Sequence, residues 1–145
     1  MPGERVIVRQ NQALETEFLA LVPGETQSAD PRPVARLEEL TPYGMLLVSL
    51  GGCTGIVLHT YALHHGLALE RVELRLRYDR VFSKDCEDCE KTSEYEDTVS
   101  LEIVLEGNLN AEEREHLLLI SRRCPIHMML ARGVPVQSRL ARGPA

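Results

Sequence analysis

Four cysteines and five histidines carry most of the reactive potential of this 145-residue chain. Cys53 lies in a run of small residues, Gly51-Gly52-Cys53-Thr54-Gly55. A thiol in such company is a small hydrophobe or, where its anion is stabilised, a nucleophile. Cys124 opens the run Cys124-Pro125-Ile126-His127. The residue before a proline at the first helical position is an N-cap, where the positive end of the helix dipole favours a thiolate. Arg122 and Arg123 add positive potential there or simply solvate a helix end. His127, one turn on, stands where it could exchange a proton with Cys124 or be an unrelated polar residue. Cys86 and Cys89 form a C-x-x-C pair within the acidic stretch Lys84-Asp85-Cys86-Glu87-Asp88-Cys89-Glu90. Acidic neighbours raise thiol pKa values, so these two are poor nucleophiles. Together with Cys124 and His127 they also make two ligand pairs at structural zinc spacing. A free or disulfide-forming pair is preferred over zinc. His64-His65 reads as a favourable charge at a helix C-terminus, and His59 as a buried, hydrogen-bonded residue. No serine-hydrolase elbow, phosphate loop, dinucleotide fingerprint or H-E-x-x-H motif occurs.

The elements that must position these groups follow from hydropathy patterning. Val6, Ile7 and Val8 suggest a short strand, Asn11-Gln12 a turn, and Leu14 to Val22 a second strand with Leu14, Thr16, Phe18 and Ala20 on one face. Glu25 to Pro42, with prolines at 31, 33 and 42, reads as loop, with room for a short strand or turn. Tyr43 to Tyr61 holds no Asp, Glu, Lys or Arg. Thr41 supplies an N-cap, Pro42 the first helical position, and Gly66 a stop, so a helix over 41–66 is expected, buried on all sides. A membrane span is the rival for so apolar a run, but its small and polar residues favour a core helix. Glycines 51, 52 and 55 each cost about 1 kcal/mol of helix propensity. Close approach of another backbone or a ligand near Cys53 would offset that cost. Leu69 to Val81 alternates, with Val72, Leu74, Leu76 and Tyr78 facing inward, and Thr98 to Glu106 repeats the pattern with Val99, Leu101, Ile103 and Leu105. These two should pair antiparallel. Asn110 and Glu113 form a capping box for a helix to about Arg122, and Cys124-Pro125 starts another through Leu130, followed by Gly133. Val134 to Leu140 reads as a last strand, at a sheet edge because of Pro135. The order gives one α+β domain over 1–145: strands and loop (1–40), central helix (41–66), strand pair (69–106), then helices and a last strand (110–140).

Composition narrows the function. A chain 43% hydrophobic and 26% charged can bury a proper core without metal or disulfide staples. The net charge of −6 disfavours nucleic acid or an anionic membrane as the main partner. The chain opens Met1-Pro2-Gly3-Glu4-Arg5 with no signal-peptide pattern, and too few cysteines are present for a secreted scaffold. Reduced thiols in a cytoplasmic protein are therefore expected.

Two segments together resemble the cysteine motifs of the OsmC/Ohr family of thiol-dependent peroxidases. They are Thr41-Pro42-Tyr43-Gly44-Met45-Leu46-Leu47-Val48-Ser49-Leu50-Gly51-Gly52-Cys53-Thr54 and Arg123-Cys124-Pro125-Ile126-His127. The strand Val72 to Arg80, the Asp85 to Glu90 loop and Leu105-Glu106-Gly107-Asn108-Leu109-Asn110 are similar to an OsmC-like branch, so the likeness covers about residues 40 to 140. The resemblance implies an α+β OsmC-like fold, with a long buried central helix packed on curved antiparallel sheets in an intertwined homodimer. It implies reduction of organic hydroperoxides, with Cys53 as peroxidatic thiol, Cys124 as resolving thiol and a dithiol electron donor. No cofactor is implied. On this view the helix glycines make room for an alkyl peroxide. The family's activating glutamate has no counterpart, because Tyr43 and Gly44 stand in the corresponding places and Glu38 and Glu39 precede the helix. Arg9 and Arg36 are the candidates for its arginine partner, and Tyr43 could lend a hydroxyl. Two other functions fit the same residues. One is a non-enzymatic OsmC-like protein holding a small lipophilic ligand at a dimer interface. The other is an interaction module with zinc on Cys86, Cys89, Cys124 and His127.

Overall fold

The computed structural model describes residues 3–21, 30–82 and 95–143. Strand β1 (Glu4–Asn11) pairs antiparallel with β2 (Thr16–Ala20) on one side and β4 (Leu69–Phe82) on the other. The short β3 (Arg32–Pro33) lies outside β2, and β5 (Tyr95–Gly107) outside β4, giving one sheet in the order β3-β2-β1-β4-β5. Three helices follow the sequence signals: α1 (Pro42–His64), α2 (Ala111–Ser121) and α3 (Pro125–Arg132). The class is α+β, as the alternation predicts.

The strand pair carries the inner face in register. Val72 stands opposite Leu105, Leu74 opposite Ile103, Leu76 opposite Leu101 and Tyr78 opposite Val99. All four β4 residues are buried, while their β5 partners are half-buried. Period-two side chains meeting across a ladder bury one continuous apolar surface, and α1 covers it. On the outer face, both Arg9 Nε and Arg75 Nε donate to the Glu73 carboxylate at 2.7 Å.

The caps form where their residues stand. Thr41 Oγ1 accepts from Gly44 N at 3.2 Å. Asn110 Oδ1 accepts from Glu113 N at 2.8 Å, and Glu113 Oε1 accepts from Asn110 N at 3.0 Å. Helix α1 is long and apolar enough to cross a membrane by length and composition. Here it lies along the sheet, with Gly44, Leu47, Gly51, Thr54, Gly55, Leu58 and Ala62 buried at helical spacing.

Two of the helix glycines serve close approach to the sheet, rather than the room for an alkyl peroxide that the resemblance implies. A Cβ on Gly51 would lie 2.6 Å from Val8 Cγ2 and 2.9 Å from Leu76 Cδ1. One on Gly55 would lie 2.7 Å from Gln10 Oε1. These two glycines let α1 settle onto β1 and β4, and leave no room there for a ligand. Gly52 alone has open space, with Phe18 at 4.0 Å from the built Cβ.

Three further expectations need correction. Helix α1 is not covered on all sides: Met45, Ile56 and Leu63 are exposed, Leu63 at 80%. Leu14 belongs to the turn rather than to β2, with φ 63°, a left-handed conformation uncommon for leucine. The Asn11 side chain holds this turn by accepting from Ala13 N and Glu15 N, each at 3.0 Å. Val134 to Leu140 forms no strand. Gly133 turns the chain at φ 85°, Pro135 brings no N–H, and Val136 and Leu140 stand 85% and 94% exposed.

Gly51→Ala should therefore destabilise by about 1–2 kcal/mol, overpacking outweighing the gain in helix propensity, whereas Gly52→Ala should stabilise by about 1 kcal/mol. Urea midpoints of the two variants check this. Arg9 beside Glu73 holds its carboxyl below the ordinary value, Arg75 adding to the effect against partial burial. A depressed folded value means the pairing stabilises above the unfolded carboxyl's pKa of about 4.3 and is lost as pH falls through the folded value. Glu73→Gln should accordingly flatten the acid limb of a plot of urea midpoint against pH.

Candidate thiol site

At about 100° per residue, Cys53 lies on the side of α1 opposite Gly51 and Gly55. Since those glycines rest on the sheet, the thiol points towards α3. The turn after α2 returns the chain to α1, and Cys124 occupies the N-cap of α3 with Pro125 in the first turn. Its own side chain makes no capping bond, although the residue is fully buried. The result brings the two thiols together. Cys124 hydrogen-bonds with the half-buried Cys53, and Ile126 N–H donates to the Cys53 sulfur. Both cysteines are free.

Electrostatics at Cys53 oppose one another. Burial pushes its thiol up, and the hydrogen bond with Cys124 adds to this; the Ile126 amide pulls it down. That amide belongs to the first turn of α3, where unpaired N–H groups and the dipole favour a sulfur anion. No arginine acts on the thiol. Arg9 is engaged with Glu73 and Glu17 on the outer face of the sheet, and Arg36 with Glu38 before the helix. The Tyr43 ring stacks on Tyr78 at 4.4 Å, near the start of α1 and about 15 Å along the helix axis from Cys53. Neither candidate arginine reaches the site.

An apolar cavity of about 220 Å³ lies between α1, β5 and α3, lined by Leu50 of α1, Val99 and Leu101 of β5, and His127, Leu130 and Ala131 of α3. Sequence reading missed this cavity and the Ile126 amide. The available signal was spacing, because Leu50 is three residues before Cys53 and His127 three after Cys124. A larger cavity of about 340 Å³ beside the β1–β2 turn is lined by Arg9, Glu15, Glu17 and Arg71 among others, and holds no thiol.

The remaining candidates fall elsewhere. His59 is buried and its Nε2 meets Gln10 O at 3.0 Å, as a core histidine should. His65 stacks on Tyr61 and bonds the Tyr61 carbonyl at the C-terminus of α1, while His64 is exposed in the last turn. Cys86 and Cys89 lie outside the described residues. Among the described residues no group of three or more histidines, cysteines or carboxylates is placed to hold a metal ion.

With Cys86 and Cys89 replaced by serine, alkylation of Cys53 by iodoacetamide should follow a pH curve displaced to the alkaline side of an ordinary thiol's, about 8.5. Cys124→Ala should move that curve back towards the ordinary range. A wild-type curve on the acid side would contradict the balance of burial and hydrogen bonding described here.

Comparison with known proteins bears on the fold and the family. The chain takes the fold of an OsmC-like hydroperoxide resistance protein from Jannaschia sp. CCS1, with TM-score 0.61 and 14% identity over 100% of this chain and 97% of that one. The organic hydroperoxide resistance protein OhrB of Bacillus subtilis aligns at TM-score 0.43 with 15% identity, over 90% of each chain. No curated protein matches in sequence. The family model for OsmC-like protein matches residues 36–139, which span α1, the thiol pair and both long strands, and the chain therefore belongs to the OsmC-like family.

Proposed function

We propose that this protein is a thiol-dependent peroxidase that reduces organic hydroperoxides in defence against oxidative stress. The observation that carries the reading is the meeting of Cys53 and Cys124 at the first turn of α3. Family membership and the hydroperoxide resistance protein of like fold support a peroxide-related role. In the proposed cycle the Cys53 thiolate attacks the distal peroxide oxygen. The O–O bond breaks, the alkoxide leaves as alcohol once protonated, and Cys53 becomes a sulfenic acid. Cys124 sulfur then displaces hydroxide, which departs as water, and a disulfide forms. A dithiol donor returns both thiols by two exchange steps and is itself oxidised. No metal or cofactor enters, and the cycle suits a reducing, cytoplasmic compartment.

The protein works, in this reading, as a homodimer. The outward stripe of α1 (Met45, Ser49, Ile56, Thr60 and Leu63) carries no charge, and the segment after α3 exposes Val134, Val136 and Leu140. A second copy is the simplest cover for both.

One observation favours a different role, a non-enzymatic protein that holds a small lipophilic ligand. Burial keeps the Cys53 thiol up and, among the described residues, no cationic side chain opposes it, which is poor activation for a nucleophile.

Cys53→Ser should abolish peroxide consumption, and Cys124→Ser should leave a sulfenic acid on Cys53 that dimedone traps in mass spectrometry. Unchanged consumption in Cys53→Ser, or no oxidation of Cys53 with a lipophile bound instead, would favour the binding role. Light scattering should report a dimer, and Leu63→Glu should shift it towards monomer.

A further inference from the structure

The face of the sheet turned away from α1 carries a groove that the thiol chemistry does not use. Its volume is about 270 Å³, and it is lined by Arg5 and Ile7 of β1, Arg75 and Arg77 of β4, and Ser100 and Glu102 of β5. The register sets these side chains in two rows. Arg5, Arg77 and Ser100 stand side by side in one, and Ile7, Arg75 and Glu102 in the next. Like charges directly opposite one another destabilise a strand pair, a cost that an anion held between them offsets. Arg77 Nε lies 2.6 Å from Asp79 Oδ2 and Arg75 Nε 2.7 Å from Glu73 Oε2, each carboxylate two residues away on the same strand. These pairs orient the guanidiniums without exhausting them, because a guanidinium held at Nε keeps two terminal amino groups as donors. Both arginine side chains are about half exposed, so the groove opens to solvent.

We propose that this groove is a binding site for a small organic monocarboxylate. The terminal amino groups of Arg77, with Arg5 across the ladder and the Ser100 hydroxyl beside it, hold the carboxylate, while Ile7 and Pro31 of the lining cover its apolar part. Planar guanidinium donors match carboxylate and phosphate alike. Glu102 is what chooses between them. It lines the groove opposite Arg75, with its carboxylate 3.9 Å from Arg75 Nη1. A phosphate dianion would meet that charge at close quarters, whereas a monocarboxylate sits in the neighbouring row, which carries no acid. The chain's net charge of −6 also disfavours a second negative charge on the ligand. Val8 and Leu76, which alternate with the groove residues, face Gly51 of α1. The groove and the thiol pair therefore lie on opposite sides of the sheet, and the assignment stands apart from the peroxidase reading.

The test titrates the isotope-labelled full chain with benzoate at fixed ionic strength and follows its amide signals by NMR. Benzoate should move the signals of Arg5, Ile7, Arg75, Arg77 and Ser100 along one saturating curve and leave those of α3 in place. Inorganic phosphate, in mildly alkaline buffer where it is a dianion, should bind at least about tenfold more weakly. Arg77→Gln should weaken benzoate at least about tenfold, as expected for loss of hydrogen bonds to a charged group, and Arg77→Lys should restore part of the affinity. Ser100→Glu places a negative charge in the groove at an exposed position of β5, so it should abolish binding with the fold intact. That variant keeps the test decisive if Arg77→Gln fails to fold. A curve that Ser100→Glu leaves unchanged, or no shift beyond that of chloride at equal ionic strength, overturns the site. Phosphate binding as tightly as benzoate overturns the assignment to a monocarboxylate.

Discussion

The depth at which α1 sits on the sheet governs everything else in this fold. Two glycines set it. With no Cβ at 51 and 55, the helix axis comes within reach of Val8, Leu76 and Gln10, and the helix cannot rotate without driving a bulkier residue into the sheet. Rotation is what matters chemically. Fixing Gly51 and Gly55 downward fixes Cys53 upward, so the thiol meets the first turn of α3 rather than the core. The packing cost of glycine in a helix is thus tied to the aim of one sulfur atom.

That aim places the sulfur between opposing influences of similar kind. Burial and the neighbouring Cys124 thiol favour the protonated form, while the Ile126 amide and the dipole of α3 favour the anion. A helix of eight residues gives a modest dipole, and a single amide is a modest donor. The balance falls to the neutral thiol in the isolated chain. Adding one cation, or exchanging the Cys124 hydrogen bond for a second donor to sulfur, would shift it towards the anion. The site is therefore poised rather than committed, and small changes in what covers α1 and α3 would move it.

Much of this was legible in the residues. The helix boundaries followed from Thr41-Pro42, from the Asn110–Glu113 capping box and from Cys124-Pro125, because caps are local chemistry that tertiary contacts seldom override. The β4–β5 pair followed from strict alternation, and its register brought together the residues that the pattern placed inward. What escaped notice was relational. Which side the glycines face depends on where β1 lies, and no period within α1 reveals that. The Ile126 amide has no side-chain signal at all. Val134 to Leu140 alternates like a strand, yet alternation states only that one face wants cover, and no neighbouring strand is hydrogen-bonded to it here. Leu14 was lost to the same rule: its apolar character continues β2, but the Asn11 side chain captures the backbone first.

The unpaired segment and the uncharged stripe of α1 also bear on why the thiol lacks a cation. Burying a leucine-sized side chain stabilises by about 1.5–3 kcal/mol, so leaving Leu63, Val136 and Leu140 in water forgoes several such contributions. A surface built that way fits the proposed second copy, and Cys53 borders the stripe on α1. Any chain laid over Ile56 and Ser49 would pass the Cys53 side of the helix. It would exclude water, which raises the thiol further, and it would also present its own side chains to the sulfur. Arg9, Arg75 and Arg77 lie on the outer face of the sheet, paired with carboxylates, and are not available to the thiol from there. A charge brought by the covering surface is then one route to a stable thiolate, and by that route activation and assembly at this site would be one event.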